Sequence, residues 1–331
     1  MTVVLLVAGL GAVLAGAILF TNAVEWAGAR MDLGVGAVGS LLAGVSTALP
    51  ESVIPVLAIL RNEPRSDDVA IGAIIGAPFM LATIAMALVG ITALVYRGRR
   101  AQGQELDVHA ETVRRDLMFF VLLLGAASLL GLGTPAAVRV PAALALVLSY
   151  IAYAVVTVRQ SGKAQAEAEL PALVAHPTKE DPPATWMVAV QFTVGLALIL
   201  GGAHLVVDGV LDVAELLGVS ALVLALVVAP LATELPEKAN SYLWIREGKD
   251  SLALGNISGA LVFQSAIPVA LGVALTPWQL GGAALLAAAL ALCGGAVAMW
   301  SLHARKRFSS PAIVGWALLF STFVVGVFVV G

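Results

Sequence analysis

Residues 232–237 read ATELPE, and the chain on either side of them, VSALVLALVVAP at 219–230 and ANSYLWI at 239–245, is built for hydrocarbon. Two carboxylates and a proline, with Lys238 directly behind them, are costly there: one charged side chain at the bilayer centre costs about 2.5–3.5 kcal/mol on insertion scales. The rest of the chain shares the apolar character, with 60% hydrophobic and 12% charged residues and a mean hydropathy of +0.99 over 331 residues. That composition excludes a soluble globular domain and defines an all-α polytopic membrane protein. A net charge of −3 gives no electrostatic basis for a nucleic-acid partner, and the single Cys293 leaves no intrachain disulfide. The opening run MTVVLLVAGLGAVLAGAILF has no basic stretch ahead of it and reads as a first membrane helix, not a cleaved signal.

A spanning helix needs about 20 mostly apolar residues. Charged or turn-rich breaks divide the chain into ten such segments, at 2–26, 34–60, 69–96, 117–136, 140–158, 185–207, 217–245, 251–275, 279–302 and 311–330. With the N-terminus outside, most of the 18 Lys and Arg fall in inner loops, while Arg61, Arg65 and Arg139 fall in outer ones. This bias places both termini outside, and Trp26, Trp186, Trp244 and Trp300 then stand at inner helix ends as an aromatic belt. The lack of a transit pattern or regulatory domain points to a prokaryotic plasma membrane.

The longest polar stretch, QSGKAQAEAELPALVAHPTKEDPPAT at 160–185, reads as part of a mobile cytoplasmic linker over 159–184. It separates halves at 1–158 and 185–331 that repeat one another. GAIL at 16–19 returns as GAHL at 202–205, TALPES at 47–52 as TELPEK at 233–238, and IGAIIGA at 71–77 as LGNISGA at 254–260. Three matches in the same order, on the first three segments of each half, indicate a five-span repeat. Five is odd, so the second copy enters the membrane from the opposite side. The expectation is ten transmembrane helices as two inverted five-helix repeats, with a ligand site where they meet.

The repeated T-x-L-P-E element gathers oxygen. Thr47 with Glu51, and Thr233 with Glu237, are four apart and share a helix face. Pro50 and Pro236 lack an N–H, which leaves the carbonyls of Ser46 and Ala232 without helical partners. Carboxylates, hydroxyls and free carbonyls are the ligands of hard cations such as Ca²⁺ and Na⁺.

These features resemble the cation/Ca²⁺ antiporter superfamily that contains the Na⁺/Ca²⁺ exchangers. The resemblance rests on GVSTALPE at 44–51, APLATELPE at 229–237 and the glycine-rich third-span motif after each, and it extends over nearly the whole chain. It implies a secondary transporter, not an enzyme, with no cofactor and no partner beyond inorganic cations and the lipid bilayer. It further implies that Glu51 and Glu237 bind Ca²⁺ in alternating-access exchange against Na⁺. Thr47, Thr233 and the backbone oxygens of Ser46 and Ala232 would assist, and the helices holding Thr21–Glu25 and His204–Asp208 would slide as gates.

Family members usually read T-S-x-P-E, where this chain has Ala48 and Glu234. GAPFML at 76–81 and GALVFQ at 259–264 put Ala77 and Ala260 in place of serines, Leu81 in place of an amide or acid, and Gln264 in place of a carboxylate or amide. Side-chain ligands for Na⁺ are therefore missing, and protons become an alternative counter-ion, with Glu51, Glu234 and Glu237 around one cavity. Lys238 either pairs with Glu234 one turn away, standing where a cation would sit, or snorkels to the interface.

Local alternatives are that the threonines bond back to the preceding turn, that Gln264 and Asn256 bond across helices, and that His204 bonds Asp208. Gly72, Gly76, Gly255 and Gly259 read as close-packing positions, and Glu25 as interfacial. A hydrolase built on Ser46 with His204 leaves both signature glutamates unexplained. A channel fits inverted, proline-broken repeats less well than alternating access does.

Overall fold

The computed structural model describes residues 2–30, 49–61, 63, 65–108, 110–160, 172–176, 183–305 and 307–330. Among these the fold is helical: α1 Thr2–Arg30, α2 Leu49–Arg61, α3 Ser66–Met80, a π-helical turn Leu81–Ala85, α4 Met86–Val95, α5 Ala110–Leu130 and α6 Ala136–Gln160. The second half adds α7 Thr185–Leu217, α8 Ala221–Thr233, α9 Leu235–Arg246, α10 Asp250–Leu275, α11 Gly282–Arg305 and α12 Ser310–Val330. Seven helical stretches among the described residues are long and apolar enough to cross a membrane.

Apolar burial gains little when lipid is the alternative, so helices must meet through close backbone approach and hydrogen bonds. Two glycine seams provide that approach. α1 and α7 run antiparallel, with Gly9 against Gly202 and Gly16 against Gly195. A Cβ on Gly16 would stand 2.8 Å from the Gly195 carbonyl oxygen, and one on Gly202 2.8 Å from that of Gly9. α3 presses Gly72 and Gly76 onto α8 at Leu222, Ala225 and Leu226. A Cβ on Gly76 would lie 2.3 Å from the Leu226 oxygen, a carbonyl that Pro230 cannot pair because it has no N–H. Gly255 and Gly259 differ from expectation: no described atom lies within 4 Å of where their Cβ would be.

α3 and α10 are the enclosed centre, whereas α1, α6 and α12 leave leucines and valines such as Val4, Leu144 and Leu318 exposed to the surroundings. α10 packs on α5, α6, α9 and α3; α3 and its continuation pack on α8, α11, α12 and α2. Cross-helix bonds from Trp278 Nε1 to the Ala127 oxygen and from Trp316 Nε1 to the Gly294 oxygen, each 3.0 Å, fasten the periphery.

Three expected boundaries move for electrostatic reasons. The fourth segment begins at Ala110, not 117, because the buried Asp116 is neutralised in place by Arg115 and receives the Ser258 hydroxyl at 2.8 Å. The sixth continues past 207 to Leu217, since Asp208 pairs with Arg61; that pairing also replaces the expected His204–Asp208 bond. The seventh is interrupted, with Glu234 as a turn between α8 and α9.

The linker is a larger correction. Residues 172–176 dock on α1 and α7 and are not a free tether in this part. Leu173 is fully buried against Ala23 and Val188. Asn22 donates to the Ala172 oxygen and accepts from the Val174 N–H, while Gln191 accepts from the Ala175 N–H and donates to Asn22.

Candidate functional site

α8 stops at Thr233 because Pro236 has no N–H to continue its ladder, and α9 restarts with that proline in its first turn. The restart places Glu237 in the first turn of α9, where the helix N-terminus favours a negative charge. Glu51 lies in the first described turn of α2, the residues before Leu49 being outside the described ones. Both carboxylates are withdrawn from solvent, Glu51 at 4% and Glu237 at 2% exposure, and Glu234 is fully buried beside them. The charges of Glu237, Glu234 and Lys238 all act on Glu51, so the second and seventh segments meet at one charged cluster.

Within that cluster the side chains divide into paired and unpaired groups. Lys238 donates to Glu234 Oε2 at 2.7 Å and is itself buried; of the two readings of Lys238, the structure shows pairing. Both carboxylate oxygens of Glu51 are buried with no hydrogen-bond partner from another described residue, and Gln264 Oε1 is buried without a donor; Glu234 Oε1 has at most the Gln264 amide beside it. Gln264 stands on α10 beside the Glu234 carboxylate. Asn256, one of the residues expected to bond across helices, donates to the Glu237 backbone oxygen at 3.4 Å. The Thr233 hydroxyl bonds back to the Ala229 oxygen at 3.2 Å, which commits its proton and leaves its lone pairs. Ser46 and Thr47 lie outside the described residues, and Ala232 is placed as backbone in the last turn of α8.

Among the described residues no three His, Cys, Asp or Glu side chains converge closely enough to hold a resident metal ion. A cluster of two glutamates, a carboxamide oxygen and broken-helix carbonyls is suited to a passing cation. The replaced family positions are apolar and enclosed: Ala77, Leu81 and Ala260 are all buried. At the far end of α7 a cavity of about 280 Å³ is lined by Glu63, Arg65, Asp208, Leu211, Asp212 and Glu215, an acidic surround that raises local cation concentration.

Sequence reasoning missed two buried ionic groups. Arg100, read as an inner-loop charge, binds both oxygens of Asp250 at 2.6 Å with neither side chain exposed. Asp116 sits on α5 among Arg115, Ser258 and Tyr153. For Asp116 a signal existed: Val113, Asp116, Leu117, Phe120 and Leu124 keep the helical spacing of a buried face.

A helical fold of membrane-crossing length and apolarity that encloses a cluster of buried carboxylates defines a cation-handling integral membrane protein. The chain belongs to the sodium/calcium exchanger protein family, whose profile matches residues 1–159 and 187–330. It is similar to CaxA of Alkalimonas amylolytica, 29% identical over 300 residues, covering 86% of this chain and 88% of that one. The inner membrane protein YrbG of Escherichia coli (strain K12) is 25% identical over 246 residues, covering 73% of this chain and 70% of that one. Among solved structures, an H⁺/Ca²⁺ exchanger, CAX, shares the fold at 18% identity with a TM-score of 0.73, covering 99% of this chain and 82% of that one. The sodium-calcium exchanger NCX_Mj does so at 17% identity with a TM-score of 0.59, covering 98% of each chain.

Proposed function

We propose that this protein is a secondary active antiporter that moves Ca²⁺, or a similar divalent cation, against Na⁺ by alternating access. Glu51 and Glu237 bind the ion, with help from Gln264, the Thr47 and Thr233 hydroxyls and the Ser46 and Ala232 carbonyls. The observation that carries this is the Glu51 carboxylate, buried beside Glu237 with no hydrogen-bond donor from another described residue. An intramembrane carboxylate in that condition is stable only with a cation or a proton. Lys238 holds Oε2 of Glu234, so at most its Oε1 faces an ion in this reading.

The site lies between two inverted five-helix repeats, 1–158 and 185–331, joined by the linker 159–184, with both termini outside. Packing supports the two-fold relation. Shifting residue numbers by 186 turns the Gly9–Gly202 contact into Gly195–Gly16, and both contacts are present. The third segment packs on the seventh as the eighth does on the second, and the eighth packs on the fourth and fifth as the third does on the ninth and tenth. The family profile likewise covers each half.

A second counter-ion, the proton, is favoured by one observation. Ala77, Leu81 and Ala260 put buried apolar groups where sodium ligands would stand. Uptake of radioactive Ca²⁺ into proteoliposomes under an outward Na⁺ gradient, and separately under an outward proton gradient, decides between them. Uptake under either gradient should be lost in Glu51→Gln and in Glu237→Gln; uptake that survives both substitutions would remove these residues from the site.

A further inference from the structure

We propose that Glu234 and Lys238 are positioning residues for Gln264: they turn its carboxamide so that Oε1, and not the amide nitrogen, faces the transported cation. This rests on the exchange reading above and deepens it at one ligand. Gln264 is 1% exposed on α10, and its carboxamide stands beside the Glu234 carboxylate. A carboxamide has a donor end and an acceptor end, whereas a carboxylate offers only lone pairs. The end turned to Glu234 is therefore the amide nitrogen. Oε1 is left at the other end, buried and without a donor. With the amide reversed, two N–H groups would face the cation and repel it.

Lys238 makes Glu234 fit for that task. Its ammonium holds Oε2 at 2.7 Å, with side-chain exposures of 9% and 0%, so the carboxylate has a counter-charge and one oxygen tied down, and Oε1 remains for the amide. Without the ammonium, the stranded carboxylate would attract the cation itself. The two halves of the chain support this division of roles. With TALPES aligned on TELPEK, and IGAIIGA on LGNISGA, the residues Glu234, Lys238 and Gln264 correspond to Ala48, Ser52 and Leu81. The half with a carboxamide at the third-segment position has the ion pair; the half with the buried, apolar Leu81 there has neither charge. A pair serving the Leu-Pro-Glu sequence itself would be as useful in the first half, which has the same three residues at 49–51.

Equilibrium binding of radioactive Ca²⁺ to the purified full chain in detergent micelles tests this without relying on transport. Gln264→Leu should weaken binding about tenfold, the loss of one contact to a charged group. Glu234→Gln/Lys238→Met removes both charges and lets either end of the Gln264 amide face residue 234, so it should weaken binding by a similar factor. The triple variant Glu234→Gln/Lys238→Met/Gln264→Leu should bind no more weakly than Gln264→Leu alone, because the pair acts only through Gln264. Losses that multiply to about a hundredfold in the triple variant would make Glu234 a ligand in its own right and overturn the positioning role. Unchanged binding in Gln264→Leu or in the pair variant would overturn it as well. Glu234→Ala/Lys238→Ser, which installs the residues of the first half, repeats the comparison where the first pair variant fails to fold. A wild-type protein that binds no Ca²⁺, or binds it equally well after Glu51→Gln, overturns the exchange site itself; retained, Glu51-dependent binding with an additive triple variant overturns only the role of the pair.

Discussion

Replacing Arg100 should destabilise the protein far more than replacing any surface arginine. Arg100 and Asp250 are fully enclosed; the guanidinium also donates to the Gly103 oxygen at 2.9 Å and the Glu105 oxygen at 3.2 Å. In Arg100→Met the Asp250 carboxylate keeps the Asp107 N–H at 2.9 Å and a long contact from Gln102 at 3.4 Å, and loses its counter-charge. Stranding a buried charge in this way costs about 3–5 kcal/mol. Asp250→Asn retains an acceptor for the Asp107 N–H but leaves the enclosed Arg100 guanidinium without a counter-charge, so its cost should be of the same order, about 3–5 kcal/mol. The double change Arg100→Met/Asp250→Leu removes both charges and should cost less than Arg100→Met alone. Unfolding in mixed micelles with increasing dodecyl sulfate, followed by tryptophan fluorescence, measures all three on one scale. A loss below about 1 kcal/mol in Arg100→Met, the value of a solvent-exposed pair, would refute an enclosed clasp between the loop after α4 and the start of α10.

The docked linker predicts slow hydrogen exchange at the Val174 and Ala175 amides, which bond Asn22 and Gln191. Leu173→Asp, which sacrifices about 2 kcal/mol of apolar burial, should release both and expose residues 172–176 to protease; unchanged protection would count against docking. Gly76→Ala should lower the yield of folded protein, since its Cβ would press on the Leu226 backbone oxygen, with an overpacking cost of about 1–3 kcal/mol or more. Gly259→Ala meets no described atom and should be tolerated; equal damage at both sites would contradict the seam. Cys293, exposed on α11, should react with an apolar maleimide in membranes and resist a charged methanethiosulfonate, whereas rapid labelling by the charged reagent would place α11 beside water.

What was legible in the sequence is what is written locally or twice. Segment positions follow from apolar length, and the break ahead of Glu237 follows from Pro236. The Glu234–Lys238 pair was visible because four residues make one helical turn. Arg100 and Asp250 are 150 positions apart and carry no local sign of each other, and the docking of Leu173 depends on Asn22 and Gln191 from two other helices. Shifted by 186, Glu234 and Lys238 correspond to Ala48 and Ser52, so the two halves differ at both positions together. A glutamate at 234 alone would add an unpaired buried charge, and a lysine at 238 alone would cancel one signature carboxylate. As a pair they add no net charge, and the cluster keeps the −2 that Glu51 and Glu237 would have by themselves. In the exchange proposed above, the pair would fill space and lone pairs that a further cation could otherwise use, while leaving the charge contributed by Glu51 and Glu237 unchanged.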